Sequence, residues 1–182
     1  MSRGQEARAL IINGTVGVGK TSVANAVGDL LRQAQVHNAV IDVDGLRQAW
    51  PAPPGDRFNV GLAMRNLTAV TANYVRAGMT RFVLASVLET EADRRDHEDA
   101  LGMPVTVGRL VADPSLVHER LHRRHEHDAD GLAWHLARSP ELDAILDAAR
   151  VHDFCVDVTT LSVVEAASSV LGEAGPGFAP CR

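Results

Sequence analysis

The sequence predicts an α/β fold in which one domain is built on a five-stranded, mostly parallel sheet with helices on both faces. Three observations lead there. Five short apolar runs alternate with longer segments of helical periodicity along the chain. The runs are apolar on both faces, as strands are when helices cover both sides of a parallel sheet. The 182 residues, 46% of them hydrophobic, are enough for one substantial core and too few for two.

Ala9 to Asn13 is the first run; it ends at Gly14 and suits a buried strand. From Lys20 onward, Val23, Ala26, Val27, Leu30, Leu31 and Ala34 recur at helical spacing, and the pattern fades after Gln35. Val40 to Asp44 reads as a second strand whose end carries two carboxylates, and Pro51, Pro53, Pro54 and Gly55 then enforce a loop. Val60, Ala63, Met64, Leu67, Val70, Tyr74 and Val75 mark a long amphipathic helix with Gly78 as its cap. Phe82 to Leu88 is the third and most apolar strand, and the charged segment from Glu89 to Asp99 reads as a helix. Val105 to Val111 is the fourth strand, after which Asp113 caps a helix with Pro114 in its first turn. A further helix runs from Gly131 or Leu132 to Ala149, with Pro140 as a break point. Phe154 to Val158 is the fifth strand, and Ser162 with Glu165 makes a capping box for a last helix through Leu171. Gly172 to Arg182 is rich in glycine and proline, so residues 175–182 are expected to be a mobile tail on a single domain of residues 1–174.

Composition narrows the function classes. With 23% charged residues the chain is neither disordered nor collagen-like, and no run approaches the roughly 18 apolar residues of a membrane span. The start, MSRGQEARALIING, does not read as a signal peptide, and a cytoplasmic location without membrane attachment is expected. Two cysteines, Cys155 and Cys181, are too few for a disulfide framework, and Cys155 is expected to be buried among Phe154, Val156 and Val158. A net charge of -5 argues against broad nucleic-acid binding. At 4% aromatic residues, few rings are available to stack bases or line a large pocket. Among the 18 basic side chains Lys20 is the only lysine.

That lysine closes the segment Gly14-Thr-Val-Gly-Val-Gly-Lys20-Thr21, which matches G-x-x-x-x-G-K-[ST] between a predicted strand and a predicted helix. Glycines let the backbone fold tightly so that successive N–H groups converge on phosphate oxygens, and the helix N-terminus adds positive charge. Gly14, Thr15, Val16, Gly17, Val18, Gly19, Lys20, Thr21 and Ser22 are thus the candidate nucleotide-binding residues. Lys20 would reach the terminal phosphates, and Thr21 would ligate magnesium. ATP is preferred over GTP because no N-K-x-D segment reads guanine.

In open sheets of this kind ligands bind beyond the carboxyl ends of the strands. Asp42 and Asp44, two residues apart on an extended chain, would point the same way there; one would accept a proton from a substrate hydroxyl, the other would hold magnesium through water. The third strand carries no acidic pair and offers only Ser86 and Glu89, unlike a mechanical NTPase, which leaves a small phosphotransferase. Arg120, Arg123 and Arg124 follow the fourth strand; Arg120 and Arg124 share a helix face and would act on the phosphoryl group from a short lid around 114–130. His118, His122 and His125 have metal-ligand spacing, but the same arginines would repel a cation. Arg47, Arg57, Arg65 and Asn66 are candidate acceptor-binding residues, suited to an anionic acceptor.

These residues resemble the small P-loop kinases, in particular the adenylylsulfate kinase and chloramphenicol phosphotransferase branches. Asp42-Val-Asp-Gly-Leu-Arg47 is similar to the aspartate-x-aspartate-x-x-arginine segment of adenylylsulfate kinases, and Asp56-Arg57 with Arg65-Asn66 falls where that family has substrate-side arginines. Val43 to Pro51 resembles the segment of chloramphenicol phosphotransferases that carries the catalytic aspartate, and Val156 to Thr160 their fifth-strand ending. The resemblance implies a three-layer P-loop NTPase fold of strand order 2-3-1-4-5, transfer of the ATP γ-phosphoryl group to an acceptor hydroxyl with Mg2+, and Asp44 as general base. After the third strand adenylylsulfate kinases carry a serine-proline-tyrosine-arginine segment. Here Glu89-Thr-Glu-Ala92 stands instead, which argues against adenylylsulfate and leaves a sugar, nucleoside or antibiotic hydroxyl open. The alternatives are a nucleoside or nucleotide kinase and a non-enzymatic nucleotide-dependent switch. The expected partners are ATP and a small-molecule acceptor, with the chain a monomer or homodimer.

Overall fold

β1 (Arg8–Gly14) is the centre of the sheet. Its neighbours are β3 (Arg81–Ala85) on one side and β4 (Val105–Val111) on the other, with β2 (Asn38–Asp42) and β5 (Phe154–Asp157) at the edges. All four pairings are parallel, and the order is β2-β3-β1-β4-β5. This computed structural model describes residues 6–178.

Alternation along β1 divides the interior into two cores. Leu10 and Ile12 face α1 (Lys20–Gln33) and α7 (Val163–Glu173), joining Val23, Val27, Leu31, Ala167 and Val170. Ala9 and Ile11 face the opposite layer, where Ala63 and Leu67 of α3 (Val60–Arg76) and Ala100 and Leu101 of α4 (Glu91–Leu101) cover Phe82, Leu84 and Val107. Both faces of the central strands are therefore dry, which is why they read as unbroken apolar runs. Both capping boxes are formed, Thr90 with Asp93 at α4 and Ser162 with Glu165 at α7. No helix among the described residues is long and apolar enough to cross a membrane.

Four local expectations are corrected. Where the sequence suggests a strand through Asp44, β2 stops at Asp42, whose carboxylate accepts from the Asp44 N–H at 3.0 Å and caps the single turn α2 (Val43–Leu46). β3 ends at Ala85 rather than Leu88. Pro140 lies inside one continuous helix, α6 (Ala129–Ala149). Cys155 is exposed rather than buried, because alternation on the edge strand β5 turns Val156 inward and Cys155 outward. The predicted mobile tail begins too early as well. Gly175 to Phe178 turns back, and Phe178, 2% exposed, fills the core beside α1 and α7. Burying one phenyl ring contributes about 2 kcal/mol, enough to hold so short a turn. Residues 179–182, Cys181 among them, lie outside the described residues.

α5 (Pro114–Arg124) and α6 complete the molecule and position the cleft. Arg109 on β4 is 2% exposed; its guanidinium donates to Asp147 at 2.6 Å and to Asp143 at 2.8 Å, one turn apart on α6. The buried member of this triad is the cation, since both carboxylates reach solvent. Replacing Asp143 and Asp147 together by Ala strands that charge and is expected to cost about 3–5 kcal/mol in urea denaturation. Arg109→Met leaves only carboxylates that water can solvate, so it should cost less; the reverse ranking would show that the cation is not the buried liability.

Candidate active site

The loop between β1 and α1 opens a cleft of about 1470 Å³ at the carboxyl edge of the sheet. Gly14 starts it at φ +143, and a Cβ there would lie 2.7 Å from the Leu110 carbonyl oxygen on the adjacent strand. Gly19 ends it at φ 109 as the N-cap of α1. At that helix start the first amides have no intrahelical carbonyl and carry the positive end of the dipole.

Asn13 anchors the loop. Its side chain, 1% exposed, accepts from the Gly14 N–H at 2.8 Å and the Leu88 N–H at 3.2 Å, and donates to the Leu88 carbonyl at 3.1 Å. Leu88 thus bonds to a side chain instead of a neighbouring strand, which is why β3 is short. From the other side, α6 contributes Ser139, whose carbonyl accepts from Thr15 Oγ1 at 2.6 Å. Arg120 of α5 donates to the Val18 carbonyl at 2.7 Å.

Lys20 Nζ donates to the carbonyls of Gly14 and Thr15 at 2.9 and 3.0 Å. Burial pushes its pKa down to about 8; the Asp44 and Asp42 carboxylates oppose that shift, and Arg124 and Arg47 add to it. An ammonium short of water and beside two guanidinium groups favours an anion as its next neighbour. Thr21 Oγ1 donates to Asp42 Oδ2 at 2.9 Å, so a hydroxyl and a carboxylate share the mouth of the cleft. Asp44 does not stand parallel to Asp42 as on a strand; it lies on α2 in a salt bridge with Arg47.

Of the residues singled out from sequence, Val16 to Ser22, Asp42, Asp44, Arg47, Arg120, Arg123 and Arg124 line this cleft together. Gly14 and Thr15 are buried beneath it. The structure does not bring Arg57, Arg65 or Asn66 to the lining. Arg57 sits over the Phe58 ring at 5.3 Å, and Asn66 donates to the Leu46 carbonyl at 2.8 Å, holding the end of α2. His125 is the C-cap of α5 and stacks on His135 at 4.6 Å.

Beyond β3 the sequence points to Ser86 and Glu89 but not to their partners His97 and Arg138. Ser86 Oγ and His97 Nε2 are 3.0 Å apart, both residues are 5% exposed, and both line the cleft. Glu89 accepts from Arg138 of α6 at 2.6 Å. The only sequence signal for these is polar residues following an apolar strand, which does not reveal their partners 11 and 49 positions away.

No family model matches the chain, and no curated protein matches it at a significant level. Solved structures match over nearly the whole length. The Deinococcus radiodurans tunicamycin resistance protein is 20% identical, with 93% of this chain and 96% of that one aligned at TM-score 0.66. The Mycobacterium tuberculosis APS kinase, solved with AMPPNP and APS, is 21% identical over 93% and 98% at TM-score 0.58. Shikimate kinase from Acinetobacter baumannii, solved with shikimate, is 16% identical over 92% of each chain at TM-score 0.59. The chain has the fold of the small P-loop kinases.

The cleft wall also sets a pH response. His97 is held below its ordinary pKa, chiefly by burial, against the raising influence of the Asp93 carbonyl and the Asp93 and Asp96 carboxylates. The folded chain therefore resists a proton that the unfolded chain accepts below about pH 6.5, so stability falls as pH drops through that value. Thermal midpoints from pH 7.5 to 5 should show His97→Gln losing less stability on acidification than the wild type; parallel curves would remove His97 as the cause.

Proposed function

We propose that the protein is a magnesium- and ATP-dependent kinase that transfers the γ-phosphoryl group to a hydroxyl of a small-molecule acceptor. The observation that carries this reading is the convergence of Lys20, the Thr21–Asp42 hydrogen bond and Asp44 at one mouth. The triphosphate would lie along the loop from Gly14 to Gly19, held by amides, the α1 dipole and Lys20. A lysine suits that place because its compact charge follows the terminal phosphates without imposing a fork geometry. Val158, Leu161 and Val163, at the end of the cleft beyond β5, offer an apolar shelf for the base.

Thr21 Oγ1 and the Asp42 carboxylate are hard oxygen donors 2.9 Å apart at the helix start, a donor set that fits Mg2+ directly or through water. When bound, that ion supplies charge neutralisation on the phosphate oxygens. Asp44 accepts the acceptor's hydroxyl proton as its oxygen forms a bond to Pγ and the bond from Pγ to the β-bridging oxygen breaks, releasing ADP. Arg47 holds the Asp44 carboxylate in place, and Arg124 with Lys20 faces the charge on the transferring group. Arg120 braces the loop through Val18 while lining the same cleft.

Asp44→Asn is expected to lower kcat by about 10² to 10⁴-fold in an ADP-release assay with acceptors found by screening sugars, nucleosides and antibiotics. ATP affinity measured by calorimetry should stay close to wild type. Unimpaired turnover would remove Asp44 from the reaction, and ATP hydrolysis that no acceptor stimulates would favour a nucleotide-dependent switch.

A further inference from the structure

The acceptor end of the cleft has a hydrogen-bond polarity that follows from one histidine tautomer. The Asp93 carbonyl can only accept, so His97 Nδ1, 2.8 Å away, is the donor. Burial keeps the ring neutral, which leaves a lone pair on Nε2. The Ser86 hydroxyl, 3.0 Å from that lone pair, must spend its proton there and present only lone pairs to the cleft. Beside it Glu89 and Asp44 are carboxylates. At Ser86 and Glu89 the wall therefore accepts hydrogen bonds rather than donating them.

The cations on this side are already matched. Arg47 pairs with Asp44, and Arg138 spans Glu89 at 2.6 Å and Glu141 at 3.1 Å. Of the two arginines that would have added positive charge, Arg65 does not line the cleft and Arg57 is held over the Phe58 ring at 5.3 Å. Apolar surface is present instead: Phe58, Met64 and Trp134 line it, and the two rings are 68% and 60% exposed. Exposed rings beside a polar wall fit a ligand with one apolar face and several donors.

We propose that the acceptor is an uncharged or cationic polyhydroxylated molecule with an apolar face, which donates hydrogen bonds to Ser86 and Glu89 and packs on Phe58 and Trp134. An anionic acceptor is disfavoured because its carboxylate or phosphate would meet the Ser86 lone pairs and the Glu89 and Asp44 carboxylates, whose arginine partners are already engaged. This inference rests on the kinase reading above. His97 acts as a positioning residue, through the proton of Ser86.

The test is ADP release over matched sets that differ only in charge: an aryl glucoside, its amino-sugar analogue and its glucuronide, and uridine against uridine monophosphate. The neutral or amino member is expected to exceed its anionic counterpart at least tenfold in kcat/KM, about 1.4 kcal/mol of discrimination. Ser86→Ala should raise KM for that member by about fivefold, the loss of one neutral hydrogen bond, with ATP affinity by calorimetry as its control for folding. Phe58→Ala, a change on an exposed loop that cannot disturb the core, should raise KM for the aryl glucoside more than for uridine. Preference for an anionic member, or Ser86 and Phe58 variants with wild-type KM, overturns the inference and leaves the kinase reading standing. Tight ATP binding with no turnover of any member of the panel counts against the kinase reading itself, and the inference falls with it.

Discussion

Asn13 is the side chain on which the cleft depends. One buried amide at the end of the central strand satisfies the first N–H of the glycine loop and both polar groups of Leu88. The loop and the wall beyond β3 are thereby fixed to each other without a strand pairing between them. A buried backbone group without a partner costs about 1–3 kcal/mol, so an apolar residue at position 13 would leave three such groups and free two segments at once. The glycines at 14 and 19 supply the conformational freedom of the loop, and Asn13 decides which conformation is used.

The roof over the loop is tied down by a different kind of interaction. α6 has little amphipathic character to bury, and the sheet holds it through Arg109, which reaches from the interior of β4 to Asp143 and Asp147. One helical turn before those carboxylates Ser139 meets Thr15, and one residue earlier Arg138 meets Glu89. A charge in the core therefore sets the height of a helix whose other residues touch the glycine loop at Thr15 and the wall beyond β3 at Glu89. Pro140 within α6 is tolerated because the helix is held by these side chains rather than by its own ladder alone.

The fold was legible because its determinants are local or periodic. Apolar runs, capping boxes and the G-x-x-x-x-G-K-T segment are read within a few positions, and strands, helices and loop followed in the right order. Errors fell where a distant partner, a competing cap or the strand's place in the sheet decides. β3 ends early because Asn13 claims Leu88, 75 positions away; β2 ends early because Asp42 is a better N-cap than a strand residue. Cys155 sits in an apolar run, yet β5 is an edge strand and alternate side chains leave the core. Arg65 sits at plausible spacing, but whether a helical arginine faces a cleft depends on the rotation of α3, which its apolar stripe determines and its charges do not; Arg57 lies in the turn before α3, over the Phe58 ring.

The electrostatics of the cleft form a gradient that this topology makes possible. At its head the cations Lys20 and Arg124 exceed what Asp42 and Asp44 neutralise once Arg47 is counted, and the lysine is already poorly hydrated. At the other end Arg138 is matched by Glu89 and Glu141, and Ser86 shows only lone pairs. These two environments are fed by adjacent strands: β1 delivers the cationic loop, β3 delivers the wall with Ser86 and Glu89, and Asp44 lies at the border on the turn after β2. On the proposed reading, a polyanion would be drawn to one end and repelled from the other, which would give a triphosphate a single direction of seating. Asp44, on the turn between them, lies where the two environments meet.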